Sequence, residues 1–192
     1  MKLTSLVAAT TLLCVACGGD DETPAAVAAV PLTCAAAAAK AAASPIAGTT
    51  LRITLAAAQP ASQTMASHCL IEGAMDERIG ALDGKAYAIK FRMRLPDLWN
   101  EKFYMPGGGG ANGTLSDGTG TGTGPGIVAN FVSALARGYA VIVHDSGHDA
   151  ALADPARGGV ASFGIDQQAR VNFGNRSYDV VAQLGKALVT SI

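Results

Sequence analysis

An uninterrupted apolar run at residues 139–143, with the sequence YAVIV, constrains the fold more than any other feature of this chain. A strand with one solvated face alternates apolar and polar residues, so a continuous run predicts a strand buried on both faces. Helices are predicted on either side of it, at 127–137 with Gly138 as the cap, and at 177–190. This order is typical of a doubly wound α/β sheet.

The residues before this run predict an antiparallel start to the same sheet. Residues 86–95 alternate apolar side chains with Lys90, Arg92 and Arg94, and Pro96 ends the pattern. Three further segments have strand character and one alanine-rich segment has helical character: 51–55, 68–74, 102–105 and 34–43, respectively. We therefore expect an α/β fold with a mixed sheet, antiparallel at first and then continuing as a β-α-β unit.

The same pattern implies a further strand. In an α/β order the helix at 177–190 should lead into another buried strand, and none follows in the sequence. We expect residues 32–192 to be the N-terminal part of a larger catalytic domain, with Ile192 as a truncation point.

The N-terminal residues predict export. Lys2 precedes an apolar stretch, and small residues precede Cys17, so residues 1–16 are interpreted as a signal peptide. The pattern also resembles a bacterial lipoprotein signal, in which Cys17 would be lipidated and residues 17–31 would form a tether; simple cleavage is the alternative. We expect a periplasmic, outer-membrane-anchored or secreted protein that meets the membrane only through a lipid anchor.

Export decides how the cysteines and the charge are interpreted. Cys14 and Cys17 fall in the signal, which leaves Cys34 and Cys69 for one disulfide in an oxidising compartment. The net charge of −1 gives no indication of a nucleic-acid partner.

The most distinctive loop is PGGGGANG at residues 106–113. Residues 108–113 satisfy the spacing G-x-G-x-x-G, but a dinucleotide site also needs a helix that begins at the last glycine, and the sequence predicts none before Ile127. A phosphate loop of the Walker type is excluded because no Lys-Ser/Thr ends the run. Two interpretations stay open: a flexible linker, and a glycine arm that lends a backbone N–H to an oxyanion.

The segment HDSGHD at residues 144–149 holds the candidate reactive side chains. Ser146 follows the buried strand and could be a nucleophile, although no G-x-S-x-G motif occurs in the chain. His144 and His148, with Asp145 and Asp149, could bind a metal ion. In the alternative that we favour, Asp145 and His148 bond to loop backbone and, with Ser146, shape the rim of a site.

Three other polar residues are interpreted as structural. Arg170 and Arg176 could form salt bridges that hold the last helix to this loop, and His68 lies in a short strand beside Cys69.

Three segments, in order, resemble the tannase/feruloyl esterase family of α/β-hydrolases: LPDLWNEKFYMPGGGGANG, SALARGYAVIVHDSGHD and FGIDQQARVNFGNRSYDVVAQLGKAL. The resemblance implies that the Gly110 N–H forms half of an oxyanion hole and that Cys34 and Cys69 are paired. It also implies a serine esterase acting on small-molecule esters of aromatic acids.

The resemblance places the remaining machinery outside this chain. The family's serine elbow, acid, histidine and lid domain with a calcium site all follow later, so none is assigned to a residue of this chain, and no cofactor is expected in the fragment. We expect these residues alone to be inactive. The alternative is a non-catalytic, surface-tethered binding module in which the glycine loop is only a turn.

Overall fold

The computed structural model describes residues 33–44, 46–120 and 132–190. The predictions for the signal peptide, Cys17, most of the tether and Ile192 lie outside these ranges. Within them, no helix is long and apolar enough to cross a membrane.

Five strands form one mixed sheet in the order β1-β2-β3-β5-β4. The strands are β1 (Leu51–Gln59), β2 (His68–Ile79), β3 (Ala86–Pro96), β4 (Phe103–Tyr104) and β5 (Ala140–His144). β1, β2 and β3 pair antiparallel, β3 pairs antiparallel with β5, and β4 pairs parallel with β5. The predicted mixed sheet with an antiparallel start is confirmed.

Burial of β5 explains its continuous apolar sequence. Successive side chains of a strand point to opposite faces. Ala140 and Ile142 belong to the larger apolar cluster, on the side of the C-terminal helix, whereas Val141 and Val143 pack with Leu135 on the other face. Since both faces are covered, no position of β5 tolerates a solvated polar side chain.

The polar face of β3 differs from the prediction at Arg94. Lys90 is exposed and Arg92 is half-buried, as an amphipathic strand requires, but Arg94 is buried. Its Nε donates to the carbonyl oxygen of Asp117 (2.6 Å), and its Nη1 lies 2.5 Å from His68 Nε2. The loop after the glycine run therefore covers this end of the strand.

The N-terminal helix α1 (Cys34–Ala43) has the predicted bounds. The hydroxyl of Thr33 accepts a hydrogen bond from the Ala36 N–H and caps the helix, and Ala37 and Ala41 face the core. The disulfide between Cys34 and Cys69, also predicted, fixes α1 to β2.

The C-terminal helical segment begins earlier than predicted. α2 (Gln167–Val171) continues through a π-helical turn at Asn172–Arg176 into α3 (Ser177–Val189). Asp166 caps α2 by accepting from the Ala169 N–H at 2.8 Å. α3 buries the predicted apolar face, with Val181, Leu184 and Leu188 among its buried residues.

The helix predicted at 127–137 is only partly described. Residues 127–131 lie outside the described ranges, and the rest contains a 3-10 turn at Leu135–Arg137 and no α-helix. Gly138 ends this turn in the left-handed region (φ 82°), as predicted for the cap.

Gly185 sets how closely α3 approaches β4 and β5. A Cβ there would lie 2.5 Å from the Phe103 ring and 3.3 Å from Ile142. We expect Gly185→Ala to lower the free energy of unfolding by about 1–3 kcal/mol, because the helix or the ring must move. Urea unfolding of the purified chain measures the change.

Gly174→Ala is the matched control. Gly174 lies in the same helical segment, and a Cβ there would meet nothing within 4 Å. Alanine at this position should leave stability unchanged or raise it by up to about 1 kcal/mol. Equal losses in the two variants would contradict the packing role of Gly185.

Candidate active site

Two loops meet where β4 and β5 end. The strands are parallel, with Phe103 opposite Ala140, so their carboxyl ends lie at the same edge of the sheet. β4 leads into the glycine loop (residues 106–113), and β5 leads into the HDSGHD loop (residues 144–149). This edge is where open α/β sheets bind their ligands.

The glycine loop turns sharply between Gly109 and Asn112. The Asn112 N–H donates to the Gly109 carbonyl oxygen at 3.0 Å, and Gly110 lies in the left-handed region at φ 57°. A Cβ at position 110 would meet no atom within 4 Å. Glycine is therefore favoured there by backbone conformation and not by lack of space.

The turn fixes the direction of the Gly110 N–H. In a trans peptide the C=O and N–H bonds point in opposite directions. The Gly109 carbonyl points into the turn, so the Gly110 N–H of the same peptide points out of it. Among the residues that the structure describes, this N–H has no hydrogen-bond acceptor.

The HDSGHD loop holds the end of the turn through the backbone. The Gly113 N–H donates to the Asp145 carbonyl oxygen (3.1 Å), and the Ala150 N–H donates to the Gly113 carbonyl oxygen (2.8 Å). At the start of the glycine loop, the Gly108 N–H donates to the Tyr178 hydroxyl of α3 (3.0 Å). The glycine loop is thus held by its neighbours although it has almost no side chains.

An open cleft of about 450 Å³ borders the turn. Backbone of the glycine loop forms one side, and the end of β5 contributes to its lining. The lining residues are Tyr104, Pro106, Gly107, Gly108, Gly109, Asn112, Thr114, Ser116, Val143 and His144. The cleft is large enough for a small organic ligand.

Asp145 is almost fully buried and bonds to backbone. Its Oδ1 accepts from the N–H groups of Lys90 (3.0 Å) and Gly147 (2.9 Å), which matches the structural role predicted for it. Burial raises the pKa of this carboxyl to about 7, although both N–H groups and the Lys90 charge favour the ionised form.

His144 is buried and neutral. Its Nδ1 accepts from the Ser146 N–H at 3.0 Å, so the ring proton is on Nε2. Burial lowers the pKa of the imidazole to about 4, and its ring packs edge-on against Tyr178 at 4.5 Å.

His148 packs among aromatic rings. It stacks on Phe163 at 3.7 Å between ring centroids and contacts Phe173 at 5.7 Å. Burial lowers the pKa of this imidazole, although the Ser146 and Ala111 backbones favour its protonated form. It supports the loop from below, chiefly by packing rather than by the hydrogen bonds that the sequence suggested.

The arrangement at Ser146 does not resemble an activated nucleophile. Ser146 is 1% exposed, and its hydroxyl accepts a hydrogen bond from Asn112 Nδ2 at 2.6 Å. His144 meets it through the backbone N–H and not through the hydroxyl. A nucleophilic serine needs a base that bonds to its hydroxyl, and among the described residues none does.

The four candidate metal ligands serve other contacts. Asp149 forms an ion pair with Lys90 (2.8 Å), and His144 Nδ1 and Asp145 Oδ1 already accept from backbone N–H groups. Across the described ranges, no group of three or more His, Cys, Asp or Glu side chains could hold a metal ion.

The two predicted arginine contacts differ from expectation in their partners. Arg176 pairs with Asp76 (2.9 Å) and donates to the Gly48 carbonyl oxygen, which ties the helical segment to β2 and not to the HDSGHD loop. Arg170 donates to the Gly164 carbonyl oxygen. His68 is structural, as predicted, and its Nδ1 lies 2.7 Å from the Ala66 carbonyl oxygen.

Sequence patterns do not reveal the roles of Asn112 and Tyr178. Helical periodicity places Tyr178 on the apolar face of α3, yet its hydroxyl accepts from Gly108. The sequence holds a partial signal for Asn112, because Asn before Gly tolerates the left-handed conformation that it adopts (φ 53°).

Known proteins resemble this chain in sequence. Residues 73–192 match the family described as "Tannase and feruloyl esterase". The mono(2-hydroxyethyl) terephthalate hydrolase of Piscinibacter sakaiensis is 46% identical over 136 residues, which are 69% of this chain. An uncharacterised esterase of Agrobacterium fabrum is 33% identical over 68% of the chain. The chain spans 22% of the length of each relative.

The buried carboxyl predicts a pH-dependent difference in stability. The pKa of Asp145 is higher in the folded state than its ordinary value of 3.8, so the stability it contributes is full below about pH 4 and is lost as the pH rises through 7. Relative to Asp145→Asn, the wild type should lose roughly 2–4 kcal/mol between pH 4 and pH 8. Urea unfolding at several pH values measures this difference.

Asp149→Asn is the control on the same loop. Lys90 lowers the pKa of Asp149, so its contribution is present above about pH 4 and is lost as the pH falls, the opposite direction. Histidine titration is common to all three proteins and cancels in the differences. A pH-independent difference for Asp145→Asn would contradict the raised pKa.

Proposed function

The chain belongs to the tannase and feruloyl esterase family, and we propose that it forms part of a serine carboxylic ester hydrolase that works through an acyl-enzyme. The family is one of α/β-hydrolases, and the mixed sheet agrees with that fold. The observation that carries the proposal is the Gly110 N–H, which points out of a fixed turn at the carboxyl end of β4.

The chemistry gives this N–H a defined role. When a serine hydroxyl attacks an ester carbonyl, the carbonyl oxygen becomes an oxyanion in the tetrahedral intermediate. The Gly110 N–H donates to that oxygen, and its charge is stabilised without any movement of the donor. The donor is already oriented because the Gly109 carbonyl is bonded to the Asn112 N–H.

Catalysis by this protein uses residues beyond these 192. No G-x-S-x-G motif occurs in the sequence, Ser146 has no base at its hydroxyl among the described residues, and the relatives are several times longer. We therefore propose that the 192 residues alone are inactive and supply one arm of the oxyanion hole.

The substrate class that we propose is an ester of an aromatic carboxylic acid. Support comes from the family description and from the relative named as a mono(2-hydroxyethyl) terephthalate hydrolase. The cleft beside the turn, which is lined by Tyr104 and glycine backbone, has room for a planar acyl group.

Export and lipidation at Cys17 are part of the same proposal. Support comes from the signal-like residues 1–16 and from the Cys34–Cys69 disulfide, a bond that persists in oxidising compartments. Metabolic labelling with a fatty acid tests it: the wild type should incorporate label and Cys17→Ala should not. Equal labelling of the two would contradict lipidation at Cys17.

A chimaera tests the esterase function. The 136 matched residues of the Piscinibacter sakaiensis hydrolase are replaced by their counterparts from this chain. We expect the chimaera to hydrolyse an aromatic ester and the 192-residue chain alone to do so no faster than buffer. A folded chimaera without activity would favour the non-catalytic binding module.

Removing only the Gly110 N–H gives the sharpest test of its role. Proline is unsuitable, because the left-handed φ of Gly110 is closed to it and the turn would break. Glycolic acid at position 110 of the chimaera turns the amide into an ester and keeps the conformation open. We expect kcat to fall about 10²-fold or more with little change in KM.

Glycolic acid at position 109 is the control for the ester linkage itself. It removes the neighbouring N–H of the same loop, for which no hydrogen bond is found among the described residues. This variant should keep most of its activity. Equal losses at positions 109 and 110 would contradict the assignment of Gly110 as the donor.

A further inference from the structure

We propose that Asn112 and Ser146 are positioning residues that hold the glycine turn in its donating conformation. The inference rests on the proposed role of the Gly110 N–H and adds two residues to it. Neither side chain is assigned to touch the substrate; both act through the peptide that bears the donor.

Asn112 bonds to both loops at once. Its backbone N–H donates to the Gly109 carbonyl oxygen (3.0 Å), and its side-chain Nδ2 donates to the Ser146 hydroxyl (2.6 Å). The Gly109 carbonyl belongs to the same peptide as the Gly110 N–H. Any movement of Asn112 therefore changes the direction of the proposed donor.

Ser146 is a rigid anchor for this contact. It is 1% exposed, and its backbone N–H is bonded to Nδ1 of the buried His144. The next residue, Gly147, is packed so closely that a Cβ there would lie 2.5 Å from Asn172 of the π-helical turn. The serine hydroxyl thus links the turn to the interior of the domain.

Both residues adopt backbone conformations that are costly for them. Asn112 has φ 53° and Ser146 has φ 66°, in the region where glycine is favoured. Glycine would relax the backbone at either position but would remove the side-chain contact. Asparagine and serine are accounted for here by the hydrogen bond between them.

The glycine loop has few other restraints near the donor. Gly107 to Gly110 have no side chains to resist rotation of their peptides. The Asn112 side chain fills the space beside Gly108, where a Cβ would lie 2.4 Å from Nδ2. Loss of the side chain removes this packing together with the hydrogen bond.

The test uses Asn112→Gly, Ser146→Gly and the double variant in the chimaera. Each substitution suits the left-handed backbone, so neither should lower Tm by introducing strain. We expect each to lower kcat about three- to tenfold with KM unchanged, as for loss of one hydrogen bond. The double variant should be no worse than either single variant, because both remove the same contact.

Glu101→Gly is the matched control. Glu101 is exposed, has φ 64° and precedes β4, so glycine there has the same backbone effect away from the turn. Its kcat should equal that of the parent. Unchanged kcat in both single variants, or losses that multiply in the double variant, would overturn the proposal.

A second measurement does not depend on activity. In the 192-residue chain labelled with ¹⁵N-glycine, the heteronuclear NOE of the Gly110 amide should be high, and it should fall in Asn112→Gly and Ser146→Gly but not in Glu101→Gly. A Gly110 amide that stays rigid in both variants would overturn the positioning role. An inactive parent chimaera with the expected NOE changes would instead contradict the proposed esterase function alone.

Discussion

The pairing of β5 with a strand on each side is the constraint on which the rest of the structure depends. β3 fixes one edge of β5 antiparallel and β4 fixes the other parallel, while apolar clusters cover both faces. Since β5 is held on all sides, the loop that follows it starts from a fixed point. That loop supplies the Asp145 carbonyl and the Ser146 hydroxyl that restrain the glycine turn.

The candidate site is built mainly from backbone. Its donor is an amide N–H, its turn is closed by a carbonyl, and its neighbouring loop holds it through two further backbone hydrogen bonds. The titratable side chains nearby have structural roles: burial disfavours the charged forms of Asp145 and His144, and His148 packs against phenylalanine rings. A pre-oriented amide suits the stabilisation of a transient negative charge.

Local sequence pattern predicts the elements that it controls and misses those that distant contacts control. Alternation identifies β3, and an unbroken apolar run identifies β5. The extension of the C-terminal helix back to Gln167 is missed because Asn172 and Gly174 weaken a helical pattern, and the π-helical turn accommodates them. Burial of Arg94 depends on a loop more than twenty residues away, which strand periodicity does not encode.

The use of an amide as donor has an evolutionary consequence. Ordinary side-chain substitutions at position 110 leave the N–H in place, so mutation can reach it chiefly through the conformation of the peptide. Selection on the reaction would then fall on residues that control this conformation, such as Asn112. Sequence drift in the glycine loop could leave the chemistry unchanged, whereas a change in the neighbouring loop, in Ser146, could slow it.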